Sequence, residues 1–421
     1  MTNHNKIFRQ YMKTCKIEKT PSTTLIAKNT MEYSKLTIDI TNKLSKKEKK
    51  DNGIFITPRS IIQKLFAEIQ KYIKTPHSIL EPSAGTCEIA NYARQIFPDA
   101  LIDAVELNDT IYKDVLPTIN GFNYIKADFT TWDNSRTYDI IVGNPPYVVC
   151  EKEEVPEKYR DFVVGRPNLF CTFILHSISM LNNNGILAFI IPTSFLNSAY
   201  YAKIRNHMKN SGTILNIMNF NDHTFIETQQ ATIGILFKKE TAPSCECDFS
   251  VKFRNDFIFT ESSSTIKNIL SGSTTLEKMG IQVKTGTVVW NQHKPILTDD
   301  NTKTLLIYNT NIASTNAVVV QNFANNEKKQ YISMAGSNEP IIVVNRGNGN
   351  TNYKLSYAYV DGKTPYLVEN HLNMILCKTE ENAKILIESF KNKKTEEFVS
   401  LFLGNGGLSK TELHTIFPIY I

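Results

Sequence analysis

The chain has 421 residues, 41% of them hydrophobic and 21% charged, which is the composition of an ordinary globular protein of two to three domains. No apolar run is long enough to cross a membrane and residues 1–10 are polar, so we expect neither a membrane span nor a secretory leader. The net charge is +6, but residues 1–50 hold twelve Lys or Arg and four Asp or Glu. Residues 1–52 are therefore predicted to form a basic N-terminal extension, which either contacts nucleic-acid phosphates or is a solvated arm.

Between residues 53 and 240, short apolar runs alternate with helical patterns. Thr57 is a suitable N-cap, and Pro58 a suitable first residue, for a helix whose apolar residues recur at helical spacing as far as Ile73. A second helix is predicted at 169–181, and strands are predicted at 78–80, 101–105, 138–142, 186–191, 214–218 and 233–237. This alternation predicts an α/β fold with a Rossmann-like, parallel, doubly wound sheet.

The composition changes near residue 240. Residues 241–275 include polar stretches with few apolar residues and are predicted to be a linker region. Residues 276–421 are richer in Asn, Lys and Thr, and short strand patterns alternate there with Gly-rich loops. The predicted organisation is therefore the extension at 1–52, a first domain at 53–240, the linker, and a separate mixed α/β domain at 276–421.

The most informative motif is Asn144-Pro145-Pro146-Tyr147, which follows the strand predicted at 138–142. Doubly wound sheets bind ligands at the carboxyl ends of their strands. The two prolines stiffen the turn and carry no N–H donors, so carbonyl oxygens and the amide oxygen of Asn144 remain as acceptors. These acceptors suit a planar amino group, which offers two N–H donors, and Tyr147 places an aromatic face beside it. The alternative is a rigid turn that binds nothing.

Further segments at the ends of predicted strands suit a nucleoside. The turn Glu81-Pro82-Ser83-Ala84-Gly85 has small residues that let a ligand approach the backbone, although it lacks the dinucleotide fingerprint G-x-G-x-x-G. Glu106 ends the second strand, where a carboxylate can bind ribose hydroxyls. Asp128 can accept from an adenine amino group and Phe129 can pack on the ring. Each acid alone reads as a surface charge. Together they predict a nucleoside pocket without a phosphate cradle.

These motifs resemble those of the S-adenosylmethionine-dependent DNA adenine-N6 methyltransferases of the gamma group, the TaqI-methyltransferase-like N-P-P-Y family. The resemblance covers roughly residues 53–240. It implies transfer of a methyl group from S-adenosylmethionine to N6 of a flipped-out adenine in duplex DNA. It also implies that the chain serves a restriction-modification system or an orphan or viral modification system, and that residues 276–421 are a DNA target recognition domain.

The resemblance assigns the cofactor contacts to residues at matching positions. Thr57 and Pro58 would help to close the cofactor pocket, and the turn from Glu81 to Gly85 would line the methionine part of the cofactor. Glu106 would bind the ribose, and Asp128 and Phe129 would hold the adenine. Many members of the family have Gly where this chain has Cys87. If that position faces the cofactor, the side chain would crowd it and affect cofactor affinity rather than the type of reaction; because a thiol is small, we expect it to be tolerated.

The resemblance also implies a catalytic mechanism. Asn144 and the Pro145 carbonyl would accept the two hydrogens of the adenine amino group, Pro146 would keep the turn rigid, and Tyr147 would stack on the base. Phe225 would pack on another side of the flipped base. Positioning and electrostatics would carry the acceleration, so we expect no metal; the eight histidines show no ligand spacing.

Loops in the second half are candidates for reading DNA, because Arg pairs with guanine and Asn or Gln with adenine, while Gly loops with Ser and Lys suit phosphates. Each of these residues could equally be part of a polar surface loop. The candidates are Trp290, Asn291, Gln292, Lys294, Arg346, Asn348, Ser409 and Lys410.

Two other methyl acceptors fit an N-P-P-Y site: a glutamine amide of a protein and a guanine amino group of ribosomal RNA. Thr57-Pro58, Phe225 and the long second half favour DNA adenine. A DNA-binding module with an inactive methyltransferase domain is a further alternative, supported by Cys87. The expected partners are duplex DNA and a cognate restriction endonuclease, with no membrane, for a monomeric chain. Seven scattered cysteines predict an intracellular compartment, cytoplasmic in a bacterial or viral context.

Overall fold

The computed structural model describes residues 32–220, 231–243, 248–253, 256–347, 353–402 and 407–421. The first half of the chain is built on one sheet. Its strands are β1 (Ser78–Glu81), β2 (Leu101–Glu106), β3 (Asn123–Lys126), β4 (Tyr138–Gly143), β5 (Leu181–Pro192), β6 (Gly212–Asn219) and β7 (Thr232–Lys239). They form a seven-stranded sheet in the order β3-β2-β1-β4-β5-β7-β6.

The doubly wound sheet is confirmed, but the prediction that it is entirely parallel is wrong. Strands β1 to β5 pair in parallel, whereas β7 is antiparallel to both β5 and β6. Strand β7 lies between β5 and β6 in the sheet and pairs with each of them in the antiparallel direction along its length. Sequence analysis missed β3, a four-residue edge strand with one buried residue. The sheet is therefore mixed, with a parallel half that carries the predicted motifs.

Helices cover both faces of this sheet. They are α1 (Lys35–Lys43), α2 (Lys46–Asp51), α3 (Arg59–Ile69), α4 (Glu88–Ile96), α5 (Asp109–Val115), α6 (Leu169–Met180) and α7 (Ala202–Ser211). Successive strand residues point to opposite faces, so Ile79 of β1 enters the core under α3 and α4 while Leu80 enters the core under α6 and α7. Within the described ranges, no helix is both long and apolar enough to cross a membrane.

The described part of the N-terminal extension packs on the sheet domain. Ile40 and Leu44 belong to the same core as α3 and α4, although α2 is mostly charged. The hydroxyls of Thr37 and Thr86 lie 2.7 Å apart, which joins α1 to the turn before α4. The alternative of a free, solvated arm is therefore wrong for residues 32–51, whereas contact with nucleic-acid phosphates stays a prediction; residues 1–31 lie outside the described chain.

The second half contains smaller sheets. Its elements are β8 (Ser250–Phe253), β9 (Asp256–Phe259), α8 (Ser263–Leu270), β10 (Val283–Thr285), β11 (Leu297–Thr298), β12 (Thr304–Ile307), β13 (Tyr331–Ile332), β14 (Ile341–Asn345), β15 (Tyr357–Val360), β16 (Tyr366–Val368), β17 (Leu372–Leu376), α9 (Glu380–Phe390), α10 (Lys393–Phe402) and α11 (Lys410–Thr415). Two four-stranded sheets have the orders β10-β17-β14-β15 and β11-β13-β12-β16. Residues 241–275, predicted as a linker, include the β8-β9 hairpin and α8; the domain boundaries stay a prediction.

Candidate active site

A cleft of about 580 Å³ opens at the carboxyl ends of β1 to β4. Such an edge is where an open α/β sheet binds its ligands. The predicted site residues that line the cleft are Pro82, Ser83, Gly85, Glu106, Asp128, Phe129, Asn144 and Pro146. The cleft lining does not include Thr57, Pro58, Glu81, Ala84, Pro145 or Tyr147. The last predicted residue, Phe225, lies outside the described residues.

Glu106, at the end of β2, joins this strand to the turn that follows β1 on one side of the cleft. Its Oε2 accepts from the Gly85 N–H at 2.7 Å, and its Oε1 accepts from the Asn108 N–H at 2.6 Å. Burial raises the pKa of this carboxyl, and the two backbone donors partly counter that effect. Each carboxylate oxygen has a second lone pair. Glu106 can therefore hold the β1 turn in place and still accept a pair of hydroxyl groups from a ligand.

Asp128 and Phe129 form the next part of the wall. Asp128 Oδ1 accepts from the backbone N–H and the hydroxyl of Thr130, at 2.9 and 2.8 Å. Among the described residues, nothing donates to its Oδ2, which is available to a ligand amino group. Phe129 is buried against Phe173 and His176, with ring centroids 5.0 and 4.8 Å apart. Its ring is thus fixed by packing while it contributes to the cleft surface.

Asn144 is held in one orientation by groups on both sides of its amide. Its Nδ2 donates to the Phe55 carbonyl at 3.1 Å and to the Thr57 hydroxyl at 3.2 Å. The Phe55 carbonyl can only accept, so it assigns the amide nitrogen to that side. Oδ1 faces the other way and accepts from the Tyr147 hydroxyl at 2.7 Å. One lone pair of Oδ1 remains for a ligand N–H.

Thr57 and Pro58 therefore have other roles than the helix start predicted for them. Helix α3 begins at Arg59, with Pro58 at the N-cap position and no side-chain capping bond. Thr57 is buried one residue earlier, and its hydroxyl serves Asn144. The helix itself was predicted correctly, but the prediction of Thr57 as its cap was wrong.

Tyr147 is half-buried beneath the turn and is fixed by four contacts. Its hydroxyl lies 2.9 Å from the Ile190 carbonyl as well as 2.7 Å from Asn144 Oδ1. Its ring stacks on Phe55 with a centroid distance of 6.2 Å and lies edge-on to Phe170 at 6.1 Å. Burial raises the pKa of Tyr147 well above its usual range, which keeps the hydroxyl protonated as a donor.

Gly53 and Phe55 are site residues that sequence reasoning missed. Gly53 has φ +62°, and a Cβ there would lie 2.8 Å from a Val148 methyl and 2.9 Å from the Pro146 Cβ. Only glycine fits both the backbone angle and the space. Phe55 lines the cleft beside Asn144. The sequence signal that could have identified Gly53 and Phe55 as site residues is their position just before Thr57.

Glu81 and Cys87 point away from the cleft. Glu81 is buried, its Oε2 accepts from the Ala90 N–H at 2.8 Å, and burial raises its pKa well above the usual range. Cys87 is fully buried, with φ +61°, a left-handed conformation that favours glycine. The left-handed backbone at this position accounts for the glycine that the family resemblance places here, without any contact to a ligand. The thiol does not reach the cleft lining.

The candidate DNA-reading residues fall into two groups. Arg346, Ser409 and Lys410 line one groove of about 960 Å³. Ser409 also caps α11, because its Oγ accepts from the Glu412 N–H at 3.1 Å. Trp290 packs at the edge of a separate apolar core, and Lys294 is paired with Glu327 at 2.6 Å. The exposed Asn291 and Gln292 lie beside that core, and Asn348 lies outside the described residues.

Among the described residues, no group of three or more His, Cys, Asp or Glu side chains is placed to hold a metal ion. The acids of the cleft are instead engaged by backbone N–H groups, as at Glu106, or by a hydroxyl, as at Asp128. The expectation that the chemistry needs no metal stays a prediction.

Comparison with known proteins gives a family match over the first half of the chain. Residues 12–225 match the family described as Eco57I restriction-modification methylase. The Type II methyltransferase M.CvrRI of Paramecium bursaria Chlorella virus XZ-6E is 26% identical over 392 residues, which are 91% of this chain and 98% of that protein. The modification methylase CviBIII of Paramecium bursaria Chlorella virus NC1A is 36% identical over 220 residues, 50% of this chain and 56% of that protein. The crystal structure of the type I restriction enzyme EcoKI M protein is 18% identical, with a TM-score of 0.36 over 44% of each chain.

Proposed function

Because this chain belongs to the Eco57I restriction-modification methylase family, we propose that it methylates N6 of a specific adenine in duplex DNA, as a gamma-group enzyme. The family membership supports the general activity, which is that of a DNA methyltransferase of the restriction-modification type. The fold is the α/β methyltransferase fold with a central mixed sheet, and the cofactor is S-adenosylmethionine. The choice of adenine N6 rests on the chemistry of the Asn144 turn.

The cleft suits this cofactor in shape and in chemistry. Glu106 would accept from the ribose hydroxyls, and Asp128 Oδ2 would accept from the adenine amino group. Phe129 would pack on the adenine ring, while Pro82, Ser83 and Gly85 leave room along the backbone for the methionine part. The bound cofactor supplies an electrophilic methyl group. Thr57 acts from behind the cleft, by holding Asn144, and Pro58 is the N-cap residue of the helix that follows.

The observation that carries the proposal is the fixed orientation of Asn144. Two acceptors hold its Nδ2, so Oδ1 must present a lone pair and cannot exchange places with the nitrogen. Within the described chain nothing donates to the Pro145 carbonyl, which supplies a second acceptor. These two oxygens would take the two hydrogens of an adenine amino group and localise its lone pair on nitrogen. Such preorganised acceptors lower the barrier without a strong base.

The remaining residues of the turn position the base. Pro146 packs against Gly53 and keeps the turn rigid. Tyr147 lies outside the cleft lining and holds Asn144 through its hydroxyl, and we assign its stacking on the base on the family resemblance alone. The target adenine must leave the duplex to reach this site, because its amino group is paired and stacked in DNA. We assign Phe225 to the other side of the flipped base on the family resemblance alone.

The proposed partner is duplex DNA, bound by a monomer, and a cognate restriction endonuclease would cut the same site when it is unmethylated. A glutamine amide of a protein or a guanine amino group of RNA would offer Asn144 and the Pro145 carbonyl the same two N–H donors. The restriction-modification family membership favours DNA over both. The inactive-module alternative loses its support, since Cys87 lies outside the cleft.

The proposal is tested with purified wild-type and Asn144→Ala proteins on unmethylated plasmid DNA. We expect the variant to keep its affinity for S-adenosylmethionine and to lose about 100-fold or more of its transfer rate. Asn182→Ala is a matched control, because Asn182 is half-buried and bonded to Asp139 at the opposite end of the sheet. Normal turnover by Asn144→Ala would refute the assignment.

A further inference from the structure

The groove that holds Arg346 and Lys410 lies between the two halves of the chain, and we call it the basic groove. Its volume is about 960 Å³. One wall belongs to the first half and includes Val164, Ser198 and Tyr200. The other wall belongs to the second half and carries the cations. A groove of this volume with walls from both halves has room for a segment of a macromolecule.

The charges of the basic groove suit a polyanion. Arg346 donates through Nη1 to the Asn370 carbonyl at 2.9 Å, which leaves its second terminal nitrogen to a ligand. Lys410 is exposed on the same wall, and so is His371, whose Nδ1 is paired with the buried Glu369 carboxylate at 2.6 Å and therefore adds no free charge. The acid in the lining, Glu412, is buried and accepts from the Ser409 N–H at 2.8 Å. The accessible charge is therefore positive, and duplex DNA is the occupant that fits it.

The opposite wall carries an apolar projection. The side chain of Tyr200 is 61% exposed and that of Val164 is 46% exposed. The segment that carries Val164 lies against the segment that carries Tyr200, since a Cβ at Gly165 would lie 3.5 Å from the Tyr200 ring. A large aromatic ring that points at a DNA groove can enter the base stack, as apolar wedges do in other DNA-binding proteins.

The loop that carries Tyr200, residues 193–201, is rigidly held. Arg205 is fully buried and donates through Nη1 to the carbonyls of Phe195 and Ser198, at 3.0 and 2.8 Å. Asn197 donates to the Phe402 carbonyl at the end of α10. A wedge must resist displacement by the bases it separates, and these bonds supply that resistance.

The same loop leads directly to the catalytic turn. Tyr201, the next residue after Tyr200, packs on Phe170 with ring centroids 5.3 Å apart. Phe170 in turn contacts Tyr147 at 6.1 Å. The basic groove and the Asn144 turn are thus joined by contiguous aromatic packing. The ring of Tyr200 therefore projects from a loop that packs, through Tyr201 and Phe170, against Tyr147 of the catalytic turn.

We propose that Tyr200 inserts into the stack of duplex DNA held in the basic groove and fills the gap left by the flipped adenine. This role rests on the proposed function, because it needs a base that leaves the duplex. Tyr200 would lower the free-energy cost of flipping by replacing lost base stacking with stacking on its own ring. The hydroxyl is not required, so Phe or Trp would serve in its place.

The test compares two short duplexes that carry the sequence methylated by the wild-type protein. One is fully paired, and the other lacks the base opposite the target adenine, which makes flipping easier. We expect Tyr200→Ala to lower kcat/KM by about 10- to 100-fold on the paired duplex and by less than about 3-fold on the other. Tyr200→Phe should behave as wild type. Tyr72→Ala is the matched control, since Tyr72 is an exposed tyrosine just beyond α3.

An equal loss on both duplexes would overturn the wedge, because it would mark a general role in binding or folding. Unchanged activity of Tyr200→Ala on the paired duplex would also overturn it. A wild-type protein that methylates neither duplex nor plasmid DNA would instead overturn the proposed function, and the wedge with it. The two failures are therefore distinguishable from the wild-type control alone.

Discussion

Replacing Thr57 by Val removes one of the two acceptors that orient Asn144 and leaves the shape of the side chain almost unchanged. The hydroxyl of Thr57 accepts from Asn144 Nδ2 at 3.2 Å, and Thr57 is buried and absent from the cleft lining. The Phe55 carbonyl remains as the second acceptor at 3.1 Å. We therefore expect the amide to sample the wrong orientation more often while the cofactor site stays intact.

The magnitude follows from the loss of one hydrogen bond. A net contribution of about 0.5–1.5 kcal/mol corresponds to a decrease of roughly 2- to 13-fold in kcat, at about 1.36 kcal/mol per factor of ten. Asn144 is only half-buried, so water can partly replace the lost acceptor and larger losses are not expected. Affinity for S-adenosylmethionine should stay within about 2-fold of wild type, because the variant changes no side chain of the cleft lining.

The assay measures single-turnover methyl transfer to plasmid DNA, with cofactor affinity from calorimetry. Thr57→Ser keeps the hydroxyl and is the matched control, with activity close to wild type. Wild-type turnover by Thr57→Val would show that this bond does not orient Asn144. A parallel loss of cofactor binding in Thr57→Val would place Thr57 in the cofactor pocket instead, and would equally refute the reasoning.

Three further variants test other parts of the site and fold. Cys87→Gly should leave cofactor affinity unchanged in calorimetry, since Cys87 lies outside the cleft; a clear gain would contradict this placement. Burial raises the pKa of Glu106 above 4.5, so cofactor affinity should fall as pH decreases through a value above 4.5, and Glu106→Gln should bind weakly without that pH dependence. Arg205→Met should lower the free energy of unfolding in urea by roughly 3 kcal/mol, because it leaves Asp256 and buried carbonyls unpaired. Lys363→Ala removes an exposed ion pair and should leave the free energy of unfolding nearly unchanged; an equal loss in both variants would show that burial of Arg205 is not what makes it important.

The strands that carry the site were predictable because their sequences are continuous apolar runs. The segment 138–142 reads as a buried strand, and β4 extends it by one residue to Gly143. The edge strand β3 gave no such signal, since three of its four residues are not buried. The direction of β7 was also unpredictable from its own sequence, because a buried strand is apolar in either direction.

The position of the Asn144 turn at the end of a buried strand was predictable, but the contacts that orient Asn144 were not. Asn144 and Thr57 are 87 residues apart, and no local pattern links an amide to a hydroxyl across that distance. The extension at 32–51 was predicted as an arm because charged residues dominate it, whereas Ile40 and Leu44 pack into the core of the sheet domain and Thr37 bonds to Thr86. The basic groove depends on segments more than 100 residues apart, which only the fold brings together.

The central claim, that the Asn144 turn methylates the amino group of adenine, is tested most directly by the chemical identity of the product. Unmethylated plasmid is incubated with the purified protein and S-adenosylmethionine, then digested to nucleosides for mass spectrometry, with Asn144→Ala as the blank. We expect N6-methyladenine to be the sole methylated nucleoside. Methylated cytosine in its place, or unmethylated DNA despite cofactor binding, would contradict the account.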